Sequence, residues 1–209
     1  MDAKKLVIAS QNVHKIREFR EMFKSLEGFD IYSLLDFPKY VPPEETGKTF
    51  EENALLKAEH AAKTLNMMVI ADDSGLVVPA LNGKPGVRSR RFAGDDATDQ
   101  ENNLKLLKEM AGFEEYKRAA SYECWIAIAN PDGFKKSFKG ICEGTILEKP
   151  KGSKGFGYDP LFQKHDQSKS FGELDESTKT RVSHRRKAFD KLSLFLASPA
   201  FHSAAACAT

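Results

Sequence analysis

Residues 68–75 read Met-Val-Ile-Ala-Asp-Asp-Ser-Gly, a short apolar run that stops at two adjacent carboxylates. Four apolar residues bounded by polar ones are typical of a buried strand. Adjacent side chains on an extended chain point to opposite sides, so at most one of Asp72 and Asp73 can face a ligand squarely. A charged pair directly after a buried strand is costly unless ionised partners or a metal offset the lost hydration. This stretch therefore predicts a strand with a candidate site at its end.

Predicted strands and helices are interleaved on either side of this stretch. Residues 6–9, Leu-Val-Ile-Ala, predict another buried strand, which a polar loop and an amphipathic helix follow. The pattern Thr-x-x-Glu at 49–52 and again at 98–101 has the spacing of a capping box and predicts two helix starts. The turn sequence Asn-Pro-Asp-Gly at 130–133 predicts a β-hairpin. The fold class we expect is α/β, with a mixed central sheet flanked by helices.

The composition of the 209 residues is that of an ordinary globular protein, with 41% hydrophobic and 30% charged residues. The 32 basic and 30 acidic residues leave a net charge of +2, which argues against a nucleic-acid partner. Three cysteines without paired spacing predict a cytoplasmic chain rather than a zinc or disulfide framework. No apolar run approaches the roughly 20 residues of a membrane helix, so we expect no membrane partner.

Carboxylates at two places are candidate metal ligands. Asp72 and Asp73 follow the buried strand, and Glu44 and Glu45 lie in a proline-containing loop before a predicted helix. Together with phosphate oxygens and water, such hard oxygen ligands suit Mg²⁺. By itself, Asp-Asp-Ser-Gly is more often a polar turn, and two glutamates before a helix also stabilise its dipole. The residue patterns alone leave these alternatives open.

Three further stretches favour a phosphorylated ligand with a base. Residues 10–15 place a polar loop and a lysine at a helix N-terminus, which attracts anions. The glycine-rich loop 151–160 permits close backbone approach and offers the flat rings of Phe156 and Tyr158 to a base. Residues 179–186 carry several basic side chains near the last helix. A mobile loop and a solvated charged face are the alternatives for the last two stretches.

As an ordered set, these stretches resemble the inosine triphosphate pyrophosphatase family, the enzymes that clear dITP, ITP and XTP from nucleotide pools. The matching stretches run in the family's order from residue 6 to about 196, and are 10–15, 44–58, 71–76, 85–89, 91–94, 155–160 and 183–185. The resemblance implies two lobes with the active site in the cleft between them, and a homodimer. We therefore expect one two-lobed domain over residues 1–198 and a flexible tail over residues 199–209.

The resemblance also implies roles for individual residues. Asp73 would be the proton acceptor and, with Glu45, a ligand of Mg²⁺, whereas Asp72 would support the site. The residues expected to hold the triphosphate are Ser10, Asn12, Lys15, Lys57 and Ser74. The residues expected to bind the base are Phe156, Gly157, Tyr158, Asp159, Lys179, His184 and Arg185. The chain departs from the family pattern at Arg90, which leaves open whether Arg90 or Arg91 contacts substrate, and at Lys154.

The activity that the resemblance implies is Mg²⁺-dependent hydrolysis of ITP, dITP and XTP to a monophosphate and pyrophosphate. Two alternatives stay open at this point. One is a pyrophosphohydrolase for a pyrimidine or another damaged triphosphate, on the related fold of the septum-inhibition protein family. The other is a nucleotide-binding regulator without turnover.

Overall fold

The computed structural model describes residues 3–201. Its helices and strands, in chain order, are β1 (Lys4–Ile8), α1 (Val13–Phe23), β2 (Phe29–Ser33), α2 (Phe50–Leu65), β3 (Met68–Val77), α3 (Asp99–Glu109), β4 (Ala119–Ala129), β5 (Lys135–Ile146), β6 (Phe162–Lys164), α4 (Glu176–Val182) and α5 (His184–Leu196). Within residues 3–201, none of the helices is both long enough and apolar enough to cross a membrane.

The six strands form one sheet in the order β2-β1-β3-β4-β5-β6. β1 lies parallel to both β2 and β3, with Leu6 opposite Ile31 on one side and Met68 on the other. β6 runs antiparallel to β5, with Ile146 opposite Phe162. β4 and β5 are neighbours joined by the predicted turn, in which the Asn130 N–H donates to the carbonyl of Phe134 at 3.0 Å. The predicted α/β class with a mixed sheet flanked by helices is confirmed.

The described residues divide into two compact units. The first comprises the described parts of Met1–Asp73, Cys124–Gly140 and Arg185–Thr209, and the second comprises Ser74–Glu123 and Ile141–His184. The chain passes from the first unit to the second within β3, between the second aspartate and the serine of the Asp-Asp-Ser-Gly stretch.

In the first unit, apolar side chains cover both faces of the sheet. Leu6, Ile8 and Ile70 pack on one face with residues of α1 and α5, while Val69 and Ala71 pack on the other face with α2. The side chains of β1 and β3 alternate between the two faces, as the two-residue period of a strand requires. Burial on both faces explains why these strands are uninterrupted apolar runs in the sequence.

The second unit has a separate core that is rich in aromatic rings. Tyr122 contacts Phe162 with ring centroids 4.8 Å apart and stacks on Phe171 at 6.1 Å. Leu106 and Met110, from α3 and the residue that ends it, are fully buried in the same cluster. This core supports the glycine-rich loop, because Tyr158 belongs to it.

Two predicted local features differ in detail from the structure. β3 does not end at Ala71 but continues to Val77, so both aspartates lie within the strand. At the start of α2, the Thr49 hydroxyl accepts the N–H of Glu52 at 3.1 Å, but the Glu52 carboxylate accepts the N–H of Lys48 rather than that of Thr49. The second predicted capping box, at residues 98–101, is complete.

The predicted tail begins with residues that pack on the first unit. Phe201 is 1% exposed, and its ring centroid lies 5.7 Å from that of Phe195 and 6.3 Å from that of Phe29. The remainder of the predicted tail, residues 202–209, lies outside the described residues.

Candidate active site

The alternation of β3 separates its two aspartates onto opposite faces of the sheet. Ile70 faces α1 and α5, so Asp72, two residues later, faces the same helices. Ala71 faces α2, and Asp73 therefore does so too. The two carboxylates therefore lie on opposite faces of the sheet, as the alternation of side chains along a strand predicts.

On the α2 face, Asp73 contacts two side chains that are four residues apart on the helix. Asn53 Nδ2 donates to Oδ2 of Asp73 at 3.1 Å, and Nζ of Lys57 lies 3.4 Å from Oδ1. The same ammonium lies 2.7 Å from Oε1 of Glu45. Side chains at i and i+4 share a helix face, so the sequence of α2 itself presents both groups to the strand. Glu45 and Asp73 thus converge on one cation.

Asn53 also fixes the segment that carries Glu45. Its Oδ1 accepts the N–H of Gly47 at 2.8 Å, so one buried amide binds both this segment and Asp73. Gly47 itself has no room for a side chain, because an added Cβ would lie 2.8 Å from Cβ of Glu52. Asn53, for which the sequence predicted no role, therefore holds the segment of Glu45 and the Asp73 side chain together.

Burial and charge act together on the ionisation of this cluster. Burial raises the pKa of Asp73, and although Lys57 and Lys15 oppose this rise, the net shift is upward. Burial acts to lower the pKa of Lys57, but the carboxylates of Asp73 and Glu45 raise it above its ordinary value. Lys57 therefore stays protonated, and the Asp73 carboxylate holds a proton more readily than an exposed aspartate does.

The chemistry of this cluster fits Mg²⁺. Within residues 3–201 there is no cluster of three or more His, Cys, Asp and Glu side chains that could hold a metal by itself. Mg²⁺ does not need one, because it commonly binds one or two carboxylates and completes its octahedral shell with phosphate oxygens and water. Glu45 and Asp73 provide two such carboxylates. Both already contact one cation, the Lys57 ammonium.

On the opposite face, Asp72 is the centre of a buried ionic network. Its Oδ2 lies 2.9 Å from Nζ of Lys15 and 2.9 Å from Nη2 of Arg185, whose other terminal nitrogen contacts Glu18. Burial raises the pKa of Asp72, but Lys15 and Arg185 outweigh it and hold the pKa far below its ordinary value. Asp72 is therefore a permanent anion that anchors Lys15.

Lys15 is positioned from its own helix as well. Asn12 caps α1 by accepting the backbone N–H groups of His14 at 2.9 Å and Lys15 at 3.2 Å. The hydroxyl of Ser10 in turn accepts the N–H of Asn12 at 3.1 Å. Three of the predicted phosphate-binding residues, Ser10, Asn12 and Lys15, are thus brought together at the start of α1.

Arg185, which is predicted to bind the base, takes part through its side chain in the ionic network of Asp72. Its side chain is 1% exposed and lies between Asp72 and Glu18 in the first unit. The two buried carboxylates hold the Arg185 guanidinium in this network of ion pairs. Sequence spacing could not reveal this, because 113 positions separate Arg185 from Asp72.

In the second unit, Asp159 organises the glycine-rich loop. Its Oδ2 accepts the N–H of Phe156 at 2.8 Å and lies 2.6 Å from Nζ of Lys179. The same ammonium lies 4.2 Å from the centroid of the Phe156 ring. Gly155 has a positive φ of 76°, and an added Cβ would lie 2.9 Å from Cγ of Asp159. Four predicted positions of the base site, Phe156, Gly157, Asp159 and Lys179, therefore belong to one compact structure.

The other predicted residues of the second unit also have defined neighbours. The His184 ring stacks on Tyr122 with centroids 4.7 Å apart and an interplanar angle of 10°. The Tyr158 hydroxyl donates to the carbonyl of Ser89 at 2.9 Å, and its pKa is raised well above the ordinary value by burial. Arg90 Nη1 donates to the carbonyl of Ala97 at 2.6 Å. Ser74 is half-buried in β3.

Comparison with known proteins identifies the family. The model of the Ham1 family matches residues 6–195. The chain belongs to the Ham1 family.

The relatives in this family are similar over nearly their whole length. A protein from Protochlamydia amoebophila named dITP/XTP pyrophosphatase is 57% identical over 192 residues, which are 91% of this chain and 96% of the relative. The HAM1 protein of Coxiella burnetii superposes with a TM-score of 0.84 at 40% identity, and the Ham1 protein of Staphylococcus aureus with a TM-score of 0.82 at 43% identity. Each alignment covers 92% of this chain and 98% of the solved structure. The predicted family and the predicted class, a nucleoside triphosphate diphosphatase, are confirmed.

Proposed function

We propose that this Ham1-family chain hydrolyses the non-standard purine triphosphates ITP, dITP and XTP, with Mg²⁺, to a monophosphate and pyrophosphate, and so cleanses the nucleotide pool. The observation that carries the proposal is the convergence of Glu45 and Asp73 on Lys57. A pair of carboxylates beside a lysine is suited to a cation and to the phosphates that the cation binds. The name dITP/XTP pyrophosphatase of the 57% identical relative supports the choice of substrate.

In this proposal, Glu45 and Asp73 hold Mg²⁺. When bound, the ion neutralises phosphate charge and polarises the phosphoryl oxygens. Lys57, whose ammonium lies beside both carboxylates, binds phosphate oxygens at the same place. Asn53 keeps Asp73 and the segment of Glu45 in a fixed arrangement through its two hydrogen bonds.

Asp73 acts as the proton acceptor for the attacking water. The water oxygen forms a bond to the α-phosphorus, its proton passes to the Asp73 carboxylate, and the bond to the bridging oxygen of pyrophosphate breaks. Lys15 and Lys57 stabilise the negative charge that develops on the leaving pyrophosphate. Asp72 fixes the Lys15 ammonium at 2.9 Å, while Ser10, Asn12 and Ser74 hold the triphosphate.

Base selection follows from hydrogen-bond donors. Hypoxanthine and xanthine carry an oxygen at C6, where adenine carries an amino group that is itself a donor. A site in which His184 and backbone N–H groups donate to that oxygen leaves donors unpaired against adenine, at roughly 1–3 kcal/mol per buried group. Phe156 offers its ring face to the base. Asp159 and Lys179 keep Phe156 in place, and Tyr158 lines the base site beside it. A homodimer, as the resemblance implies, is part of the proposal.

The test is a substrate panel assayed for two products. The purified protein is incubated with Mg²⁺ and ITP, dITP, XTP, ATP, GTP or dUTP, and pyrophosphate and orthophosphate are measured separately. We expect pyrophosphate from the first three, little turnover of ATP, and little turnover of GTP, whose guanine shares the C6 oxygen but carries a 2-amino group that hypoxanthine and xanthine lack. Preferred turnover of dUTP would favour a pyrimidine hydrolase, and binding without turnover would favour a regulator.

The proposed metal ligands have a matched control next to them in the chain. Glu44 is exposed and Glu45 is half-buried, so Glu45→Gln and Glu44→Gln make the same chemical change at neighbouring positions. We expect Glu45→Gln and Asp73→Asn to fold normally and lose nearly all turnover, and Glu44→Gln to keep it. Substantial activity in Asp73→Asn would remove Asp73 from the role of proton acceptor.

A further inference from the structure

Two side chains of α3 bind Gly157 in the glycine-rich loop, one at its backbone N–H and the other at its carbonyl. Oδ2 of Asp99 accepts the N–H of Gly157 at 2.6 Å, and Nδ2 of Asn103 donates to the Gly157 carbonyl at 2.9 Å. Asp99 and Asn103 are four residues apart, so they lie on the same face of α3. The amide oxygen of Asn103 is buried and has no hydrogen-bond partner among residues 3–201, so the contact with Gly157 is what orients this amide.

The helix that provides these two side chains is itself firmly placed in the second unit. The Thr98 hydroxyl and the Glu101 carboxylate form a complete capping box at its start. Asn102 accepts the N–H of Ala93 at 2.8 Å and donates to the carbonyl of Arg90 at 3.0 Å. A capped helix tied to a neighbouring segment is a suitable frame from which to fix a loop.

Fixing Gly157 also fixes the aromatic residues on either side of it. Gly157 has a φ of 62°, a left-handed conformation that glycine adopts without strain. Phe156 precedes it, with its ring under the Lys179 ammonium, and Tyr158 follows it, with its hydroxyl on the Ser89 carbonyl. With the N–H and the carbonyl of Gly157 held by α3, the backbone that carries the two rings cannot move without breaking one of these hydrogen bonds.

We propose that Asp99 and Asn103 are positioning residues for base recognition. They act through Gly157 on the orientation of Phe156 and Tyr158 and do not touch the reacting phosphate. The inference rests on the proposed function, because it takes this loop to bind the purine base. The proposal gives the first two turns of α3 a part in discriminating between bases. Neither residue is among those that the family resemblance implies.

The kinetic test uses conservative and disruptive changes at both positions. Asp99→Ala removes the acceptor for the Gly157 N–H, whereas Asp99→Asn keeps an acceptor oxygen. Asn103→Ala removes the donor, and Asn103→Asp has the same size but sets a carboxylate against the Gly157 carbonyl. Gln100→Ala is the matched control, because Gln100 is exposed in the same turn. Steady-state rates with ITP and ATP are measured for all five.

We expect Asp99→Ala, Asn103→Ala and Asn103→Asp to raise KM for ITP by about 3- to 10-fold, which corresponds to one lost hydrogen bond. kcat should stay within about 2-fold, and the preference for ITP over ATP should fall, because the reacting groups are intact while the base is held less well. Asp99→Asn and Gln100→Ala should resemble the wild type. Unchanged KM and preference in the three disruptive variants, or a fall in kcat alone, would overturn the inference.

A second readout does not depend on turnover. Hydrogen–deuterium exchange of peptides that cover residues 153–160 is followed in the protein without nucleotide. Faster exchange in Asp99→Ala and Asn103→Asp than in Gln100→Ala is expected, and equal exchange would contradict the contact itself. If the wild type hydrolyses none of ITP, dITP and XTP, the proposed function fails, whereas the exchange result still decides whether α3 holds the loop.

Discussion

Arg185 and Asp72 form an ion pair that is buried on both sides: Nη2 of the arginine lies 2.9 Å from Oδ2 of the aspartate, and each side chain is 1% exposed. Glu18 contacts the other terminal nitrogen of the guanidinium. Buried carboxylates need such a partner, because they have lost their hydration. Asp72 thus supports Lys15 from one face of β3, while the neighbouring Asp73 faces Lys57 on the other.

Replacing Arg185 by methionine should destabilise the fold strongly. The change leaves Asp72 and Glu18 buried without the guanidinium, and breaking a buried pair in this way costs about 3–5 kcal/mol. Urea denaturation measures the free energy of unfolding. Arg186→Met is the control, because Arg186 pairs with Asp190 on the surface across one helical turn and should lose at most about 0.5 kcal/mol. If Arg185→Met lost no more free energy of unfolding than Arg186→Met, the buried ion pair would contribute little to stability.

Replacing Lys57 by methionine should make stability depend on Mg²⁺. Without the ammonium, Glu45 and Asp73 repel each other, so we expect a Tm below that of the wild type in EDTA. Added Mg²⁺ can bind between the two carboxylates and should raise the Tm of the variant by more than that of the wild type. Lys63→Met, at an exposed position of the last turn of α2, is the control. A Mg²⁺-induced rise that is the same in Lys57→Met and in Lys63→Met would argue against a metal site here.

The thiol of Cys124 should resist alkylation in the native protein. Cys124 is fully buried, and burial, followed by the nearby Asp72 carboxylate, raises its pKa far above the ordinary value. The thiolate is the reactive form, so the group should be inert at about pH 8 and become reactive only when unfolding returns its pKa to about 8.5. Iodoacetamide treatment with and without concentrated urea, read by peptide mass spectrometry, tests this. Rapid native labelling of Cys124 would refute it.

Local signals in the sequence predicted much of the first unit and the start of α3 in the second unit. The apolar run at 68–71 and the alternation of strands were enough to place Asp72 and Asp73 on opposite faces, and the Thr-x-x-Glu patterns located the starts of α2 and α3. The continuation of β3 beyond Ala71 was missed, because polar residues at 72–75 are typical of turns. Within the strand, side chains of α1, α2 and α5 form ion pairs with the two carboxylates, and such partners are not visible in local sequence.

The residues that the sequence reading missed are those whose role depends on contacts distant in sequence. Tyr122, which stacks on His184, reads as an ordinary strand residue. Glu18 reads as an exposed position of an amphipathic helix, although it is 4% exposed and bound to Arg185. Asp99 reads only as an acidic residue at a helix start. In each case the side chain is typical of its local element, and only the tertiary structure supplies the partner.

Changing one partner of the Lys179–Asp159 ion pair should lower the free energy of unfolding more than changing both partners. Their side chains are 6% and 3% exposed, with Nζ and Oδ2 2.6 Å apart. Lys179→Met leaves the Asp159 carboxylate buried without this ammonium, which should cost about 3–5 kcal/mol, whereas Lys179→Met combined with Asp159→Asn removes both charges and should recover most of that loss. The amide that Asp159→Asn introduces keeps an oxygen that can accept the N–H of Phe156, so the loop should fold.

Activity should not recover with stability in that double variant. Without the Lys179 ammonium, the Phe156 ring loses the cation that lies 4.2 Å from its centroid, and the base is held less well. KM for ITP should therefore stay raised in the double variant, although its free energy of unfolding approaches that of the wild type. Lys154→Met, an exposed lysine of the same loop, should change neither quantity. If the double variant regained wild-type KM, the pair would serve stability alone and Lys179 would have no part in binding the base.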